Sequence, residues 1–473
     1  MFSTIISTGA LSSVLLLTMI FPVILPFAII AIIAHIRSLP NLIAVLVPVF
    51  VVSDWLTLLA VNAGFVVMDA LNTFTLLCAI VLMYFLKHPR KILDIKLLIS
   101  FIAAIAFLLF SVRNHFDAYG LSLVIRNFLL FPFLLFLILS ESRYDGNPKG
   151  IYLLYHLLLL LMISSIMIIY QYGIGKFDYF IDFGIYKFYE NRGFEINDGQ
   201  LPMGFVTTSF SGNTTIRPLG VFLSPDKLAY LVNAAVYILV YICLVKRYNL
   251  WLCLLISVAA ALQYYISVKA AMFQLMVFLL FLFSYRLLPQ LSLFRRILTF
   301  AGSIAIGVFI VLEFSPRAWL HGSGAIQHIW GLTFPFQNIV ETPLRLFLGQ
   351  GFIGTEDKMS KWDDGAESFV GTLLSTGGLV LYSVWTYVYY ILDRKFLQPK
   401  LSKTPFWTEN GIKIVAVSSL LWAVYGAAFF SIASLSWFQS VSVIGAILAI
   451  VLMPPLSQPT LARYHPRSRP AST

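Results

Sequence analysis

Charged residues are scarce in this chain. Asp, Glu, Lys and Arg make up 11% of its 473 residues, whereas hydrophobic residues make up 59%. A soluble domain carries about 25% charged residues, so the composition excludes an ordinary soluble protein and predicts a polytopic membrane protein. The chain also lacks the alternation of apolar and polar residues that a transmembrane barrel needs, and its unbroken apolar runs therefore predict an all-α fold.

Cysteine is scarcer still, with three residues in the whole chain. Cys78, Cys243 and Cys253 lie in or beside apolar runs without metal-ligand spacing, so neither a zinc site nor a disulfide framework is predicted. His321 and His328 lie seven residues apart with no further ligand pattern, so no metal is expected there either. The net charge of +11 comes from short clusters beside apolar runs, which orient helices, and we expect no nucleic-acid partner.

The apolar runs predict one membrane domain, residues 1–473, with about 12–13 transmembrane helices. The segments of suitable length are 9–35, 41–62, 66–86, 97–112, 121–140, 151–172, 223–245, 250–267, 270–286, 297–313, 367–391, 411–431 and 434–453. The first segment contains FPVILP, whose two prolines either kink one helix or mark a re-entrant turn.

Lys and Arg predict the orientation, because they concentrate in the cytoplasmic connections of membrane proteins. The predicted spans place five basic clusters on one face. These are Lys87 to Lys96, Lys246 with Arg247, Arg286 to Arg296, Arg394 to Lys403, and the tail from Arg463 to Arg469. Two polar islands, residues 173–217 and 314–366, then become extracytoplasmic loops, and each holds four basic and five acidic residues.

Two cations flank helices on the predicted outer face. In TTIRPLGVFLSPDKLA, Arg217 precedes a span, and Ser224 and Pro225 have the order typical of a helix start. In ISVKAAMF, Lys269 is the one charge in a tight external turn. Either side chain could reach lipid headgroups or bind a ligand.

The second island ends in two glycine-containing motifs. In PLRLFLGQGFIG, Arg345 precedes glycines whose spacing matches neither a Walker loop nor a Rossmann fingerprint. In AESFVGTLLSTGGLVLY, Glu367 opens a span, where it either caps the helix or acts as a general base. The glycines that follow, at 371, 377 and 378, form a small-residue face that is typical of close helix packing.

Ionisable residues inside predicted spans are further candidates, because a charge in lipid is costly unless it faces protein. Arg126 lies about one turn into the span that begins near 121, where it either faces a polar cavity or forms an ion pair. Asp54 and Asp69 either belong to a proton path or form structural hydrogen bonds. The outer-face cations together suit a phosphate or diphosphate group.

In order and spacing these motifs resemble the O-antigen ligase and Wzy-type polymerase superfamily of bacterial envelope glycan assembly. The resemblance covers roughly residues 200–392, and ISVKAAM is similar to the family's Ser-Arg-Gly-Ala stretch. It implies a GT-C-like fold, a lipid-diphosphate-linked glycan donor, and no metal or other cofactor. The family arginines map onto Arg217 and Arg345. Lys269 replaces a usual Arg and loses bidentate contact, while Glu367 replaces the His typical of ligases, which favours a polymerase.

The resemblance therefore implies a glycosyltransferase in the bacterial inner membrane that polymerises O-antigen, exopolysaccharide or capsule from undecaprenyl-diphosphate-linked repeat units at the outer face. Glu367 is the expected base. The cations expected to hold the diphosphate are Arg217, Lys269, Arg345 and Arg126. The expected partners are the lipid-linked oligosaccharide, membrane lipid and a chain-length regulator protein. Two alternatives stay open: a ligase-type transferase to lipid A core or protein, and a lipid-linked glycan flippase.

Overall fold

The structure of the chain is a computed structural model. It describes residues 2–35, 39–67, 69–87, 118–140, 149–173, 184–190, 206–208, 214–246, 250–266, 268–287, 301–302, 305, 343–349, 368–405, 408–429, 437–454 and 456. The predicted span 97–112 lies outside these ranges. Most of the predicted span 297–313 and most of the second polar island also lie outside them.

The described residues are almost entirely helical, as expected where lipid offers the backbone no hydrogen-bond partners. The helices are α1 (Phe2–Ile20), α2 (Leu25–His35), α3 (Leu39–Asn62), α4 (Asp69–Lys87), α5 (Ala118–Ser140), α6 (Lys149–Gly173), α7 (Ile185–Glu190), α8 (Pro225–Val245), α9 (Leu250–Ile266), α10 (Lys269–Leu287), α11 (Pro343–Leu348), α12 (Phe369–Leu392), α13 (Gln398–Lys403), α14 (Glu409–Ala427) and α15 (Trp437–Leu452). A 3-10 turn, Pro22–Ile24, lies between α1 and α2, and a π-helical turn, Asp393–Leu397, joins α12 to α13. Strands β1 (Val206–Thr208) and β2 (Thr214–Ile216) pair antiparallel, with Thr207 opposite Thr215.

Four helical stretches in the described part are long and apolar enough to cross a membrane: Leu153–Gln171, Pro225–Val245, Phe369–Lys400 and Glu409–Ala427. Seven shorter apolar helices accompany them. The outward face of α9 is apolar, with Leu250 81% and Trp251 73% exposed. An exposed apolar surface around a helical core is typical of a membrane protein, and the prediction of an all-α membrane protein is confirmed at that level.

The predicted span 9–35 is two helices. The 3-10 turn begins at Pro22 and ends α1, and His35 Nε2 lies 3.1 Å from Ser7 Oγ, so the end of α2 returns to the start of α1. The chain therefore reverses at the FPVILP segment. Of the two interpretations of these prolines, the turn is confirmed and the single kinked helix is wrong.

Helices α8 and α10 run parallel. Asn233 Nδ2 donates to the carbonyl oxygen of Ala271 at 2.7 Å, and one turn further along both helices Tyr237 donates to Gln274 Oε1 at 3.0 Å. These side chains are buried, and buried amides seek such partners. The two bonds fix the axial register of α10 against α8.

Helix α14 runs in the opposite direction to α10 and α12. Tyr285, near the end of α10, lies 3.0 Å from Ser418 in the middle of α14, measured between side-chain oxygens. One turn earlier in α10, Phe281 stacks on Trp422, which lies one turn later in α14. At the other end of α14, the amide of Val370 donates to the carbonyl oxygen of Ala428 at 3.2 Å. Helices α8, α10 and α12 therefore start at one end of the bundle, which we name the island end. Their opposite ends, with Lys246 and Arg394, form the basic end.

The basic end contains a buried polar network around Asp393. This carboxylate accepts hydrogen bonds from Ser418 Oγ at 3.0 Å, from Gln398 Nε2 at 3.2 Å and from Trp422 Nε1 at 3.3 Å. Asp393 is fully buried. A buried carboxylate needs such donors, and the network ties the π-helical turn to α14.

Candidate functional site

Residues 217–224 connect β2 to α8 and lie against α3 and α6 at the island end. Leu219 and Phe222 are fully buried and anchor this 217–224 segment in the core. Gln171 Nε2 of α6 donates to the carbonyl oxygen of Gly220 at 3.3 Å, and Trp55 Nε1 of α3 donates to that of Val221 at 2.9 Å. Two side chains from different helices therefore hold the backbone that follows Arg217.

Gly220 allows this close approach. Its φ is +60°, and a Cβ at this position would lie 2.7 Å from the Cβ of Ser164 on α6. A side chain here would be strained by the backbone conformation and would collide with α6. The segment therefore packs against α6 through a glycine.

Arg217 lies at the start of the 217–224 segment and is partly exposed. Its Nε atom is buried and has no hydrogen-bond partner among the described residues. Burial lowers the pKa of the Arg217 guanidinium, and the nearby Asp226 carboxylate opposes that shift. An unpaired buried donor on a cation costs free energy until an acceptor arrives, so Arg217 is a candidate anion receptor.

The start of α8 has the order of residues that the sequence predicts for a helix start. Pro225 occupies the first helical position, and Ser224 has the extended backbone of an N-cap residue, but its side chain makes no capping hydrogen bond. The helix start predicted from Ser224 and Pro225 is therefore confirmed, although the Ser224 side chain adds no capping bond.

A buried ion pair lies beside this helix start. Lys227 Nζ of α8 contacts Asp54 Oδ2 of α3, and the two side chains are 16% and 9% exposed. Asp54 had two open interpretations, a proton path or a structural bond, and the structure places it in an ion pair. The next residue of α3, Trp55, donates to Val221. Asp54 and Trp55 therefore bind the start of α8 and the 217–224 segment that precedes it.

Lys269 begins α10, and only its backbone is described. Ala271, two residues later, is bonded to Asn233, which lies eight residues into α8. At a rise of 1.5 Å per residue, the Lys269 backbone is about 9 Å deeper in the bundle than Pro225. Lys269 and Arg217 thus share the island end, with Lys269 nearer the bundle centre.

Arg345 is exposed on α11, which packs against the middle of α12. Gly378 has a φ of +62°, and a Cβ there would lie 2.4 Å from the carbonyl oxygen of Phe347. The reciprocal Cβ at Gly349 would lie 2.5 Å from Thr376 backbone atoms. The glycine face of α12 is confirmed as a packing surface. The main contacts of α11 are with α12, so the contacts described do not join Arg345 to Arg217.

Glu367 lies outside the described residues. Ser368, the next residue, is fully buried and accepts a hydrogen bond from the amide of Gly371 at 3.0 Å, so it supplies the N-cap of α12. The capping bond for this helix thus comes from Ser368. The role of Glu367 as a base stays a prediction.

Arg126 lies eight residues into α5, deeper than predicted, because the helix starts at Ala118. Its side chain is not among those described, and Asn127 beside it is buried. The side chain of Asp69, and the whole of His321 and His328, are likewise outside the description. Within the part of the chain that the structure describes, no group of three or more His, Cys, Asp or Glu residues is placed to hold a metal ion.

Lys227 is the residue of this region that sequence reasoning missed. It stands in the quoted SPDKLA motif, two residues into an apolar helix, and a lysine at that depth is costly unless paired. This cost indicates from the sequence alone that Lys227 needs a partner. Its partner was not predictable, because Asp54 is 173 residues away in the chain.

Comparison of the chain with protein-family models, with curated proteins and with solved structures finds no match. The assignment of function therefore depends on the residues and on the geometry described above.

Proposed function

We propose that the chain is a polysaccharide polymerase of the bacterial inner membrane. It is a metal-independent glycosyltransferase with a GT-C-like fold, and it joins undecaprenyl-diphosphate-linked repeat units at the outer face. The observation that carries the proposal is Arg217, whose Nε is buried at the island end without a partner among the described residues. A diphosphate supplies the acceptor that this donor lacks.

The order of elements supports placing the other proposed groups on the same face. Helices α8, α10 and α12 all start at the island end, and Arg217, Lys269 and Glu367 precede or open these helices. Arg345 adds a cation from the second island, and Arg126 adds one from α5. The basic clusters at the opposite end favour a cytoplasmic location for that end, which makes the island end extracytoplasmic.

The reaction is a single displacement at the anomeric carbon of the growing chain. A hydroxyl of the incoming repeat unit attacks that carbon, Glu367 takes the hydroxyl proton, and the bond to the diphosphate oxygen breaks. The electron pair leaves with undecaprenyl diphosphate, whose charge the cations stabilise. A single displacement inverts the anomeric configuration.

The test is polymerisation by the purified protein in lipid nanodiscs supplied with undecaprenyl-diphosphate-linked repeat units. We expect Arg217→Ala and Glu367→Gln to lower the rate by about 10²-fold or more, the size of effect seen when a charge-stabilising or proton-transfer group is removed. Lys246→Ala, an exposed cation at the basic end, is the matched control and keeps the wild-type rate. Full-length polymer from both correctly folded site variants would contradict the proposal.

A further inference from the structure

The ion pair between Lys227 and Asp54 is poorly explained by stability alone. Both side chains are largely buried at the island end, where one belongs to α8 and the other to α3. Desolvating two charges costs about as much as their attraction returns, so buried pairs are often no more stabilising than neutral residues of similar volume. Ionisable residues inside a membrane domain are retained mainly for function.

The pair lies beside the candidate anion receptor. Lys227 follows Asp226, the carboxylate that acts electrostatically on Arg217. Trp55, next to Asp54, holds the 217–224 segment through the carbonyl oxygen of Val221. Arg217 and Lys227 are therefore at the two ends of one short stretch of chain that α3 holds in place.

Two cations lie against two carboxylates in this region. Arg217 interacts electrostatically with Asp226, and Lys227 is paired with Asp54. Both phosphoryl groups of a lipid diphosphate are ionised at neutral pH, so a diphosphate at Arg217 adds negative charge beside these carboxylates. A second cation shared between its carboxylate and the diphosphate would offset part of that charge.

We propose that Lys227 is a further cation for the donor diphosphate and that Asp54 is its counter-ion until the donor binds. This inference rests on the proposed function. On donor binding, the Lys227 ammonium is shared between Asp54 and a phosphoryl oxygen. Lysine suits this role, because its ammonium is a flexible point charge and does not require fixed bidentate geometry.

Two variants test the inference in opposite directions, with the full-length protein in phosphatidylcholine nanodiscs and undecaprenyl diphosphate as the probe. The double variant Lys227→Met with Asp54→Asn removes both charges of the pair together, so it is expected to fold. We expect its Kd for the probe to rise about tenfold or more, the loss that corresponds to one charge-assisted hydrogen bond. Asp54→Asn alone removes the carboxylate that competes with the diphosphate for the Lys227 ammonium, and we expect this variant to bind the probe more tightly than wild type.

Undecaprenol, which lacks the diphosphate, is the ligand control, and its binding is expected to be unchanged in both variants. Lys246→Met is the control for removing a cation elsewhere. Wild-type affinity in the folded double variant, or in Asp54→Asn, would overturn the inference and leave the pair as a structural contact. Wild-type affinity in Arg217→Ala would instead contradict the proposed function, so the two failures are distinguishable.

Discussion

At the residue scale, Asp393 illustrates how polar side chains are kept inside this apolar bundle. Its carboxylate accepts hydrogen bonds from Ser418, Gln398 and Trp422 at the basic end. Replacing it with Ala would remove the acceptor that these three donors share, and each buried group left unsatisfied costs about 1–3 kcal/mol. We therefore expect Asp393→Ala to lower the melting temperature of the protein in detergent.

The control for this prediction is Ser257→Ala. Ser257 is exposed on α9, where its hydroxyl donates to the carbonyl oxygen of Cys253, and surface substitutions of this kind usually change stability by less than about 0.5 kcal/mol. Because Asp393 lies at the basic end, binding of undecaprenyl diphosphate to the folded variant should stay unchanged. A melting temperature equal to that of wild type would show that the network does not stabilise α12 against α14.

The sequence indicates which residues in this region are unusual, but it does not indicate their contacts. Arg217 was identifiable because an arginine at the edge of an apolar run stands out in the sequence. The burial of its Nε, without a partner among the described residues, depends on tertiary packing and is not predictable from the sequence. The Asp54 and Lys227 pair needs α3 and α8 to be neighbours, and nothing in one sequence indicates that contact.

At the scale of elements, the contact between α11 and α12 depends on Gly378. The residue has a φ of +62° and a ψ of −162°, a conformation that costs other residues about 1–3 kcal/mol. An added Cβ would also lie 2.4 Å from backbone atoms of Phe347. We expect Gly378→Ala to lower the melting temperature and to separate α11, with Arg345, from α12.

A matched control is Gly9→Ala in α1, where an added Cβ has no described atom within 4 Å apart from the neighbouring backbone of its own helix. Alanine is the better helix former by about 0.5–1 kcal/mol, so this variant should be as stable as wild type or slightly more stable. A disulfide engineered between α11 and α12 reports their separation directly. If it formed equally well in Gly378→Ala and in wild type, the glycine would not be required for the contact.

Most element positions were predictable, because a long apolar run marks a buried helix wherever it occurs. The predicted spans 223–245 and 250–267 correspond to Pro225–Val245 and Leu250–Ile266. The hairpin of α1 and α2 was not resolved from sequence, since a proline can either kink a helix or end it. Contacts of His35 with Ser7 decide that question, and they are tertiary.

At the scale of the whole molecule, the described helices form one bundle in which the starts of α8, α10 and α12 share an end. That arrangement agrees with the alternation of faces expected from the basic connections. The bundle brings the backbone of Lys269 and the Arg217 segment to the same end.

The most direct test of the central claim is the glycan ladder of a strain from which this protein has been deleted. A polymerase acts after the first repeat unit has reached the outer face, so we predict surface glycan capped with a single repeat unit and no longer chains. Restoring wild type should restore the ladder, and restoring Arg217→Ala should not. A full ladder in the deletion strain, or a complete lack of capped glycan, would contradict the assignment as a polymerase.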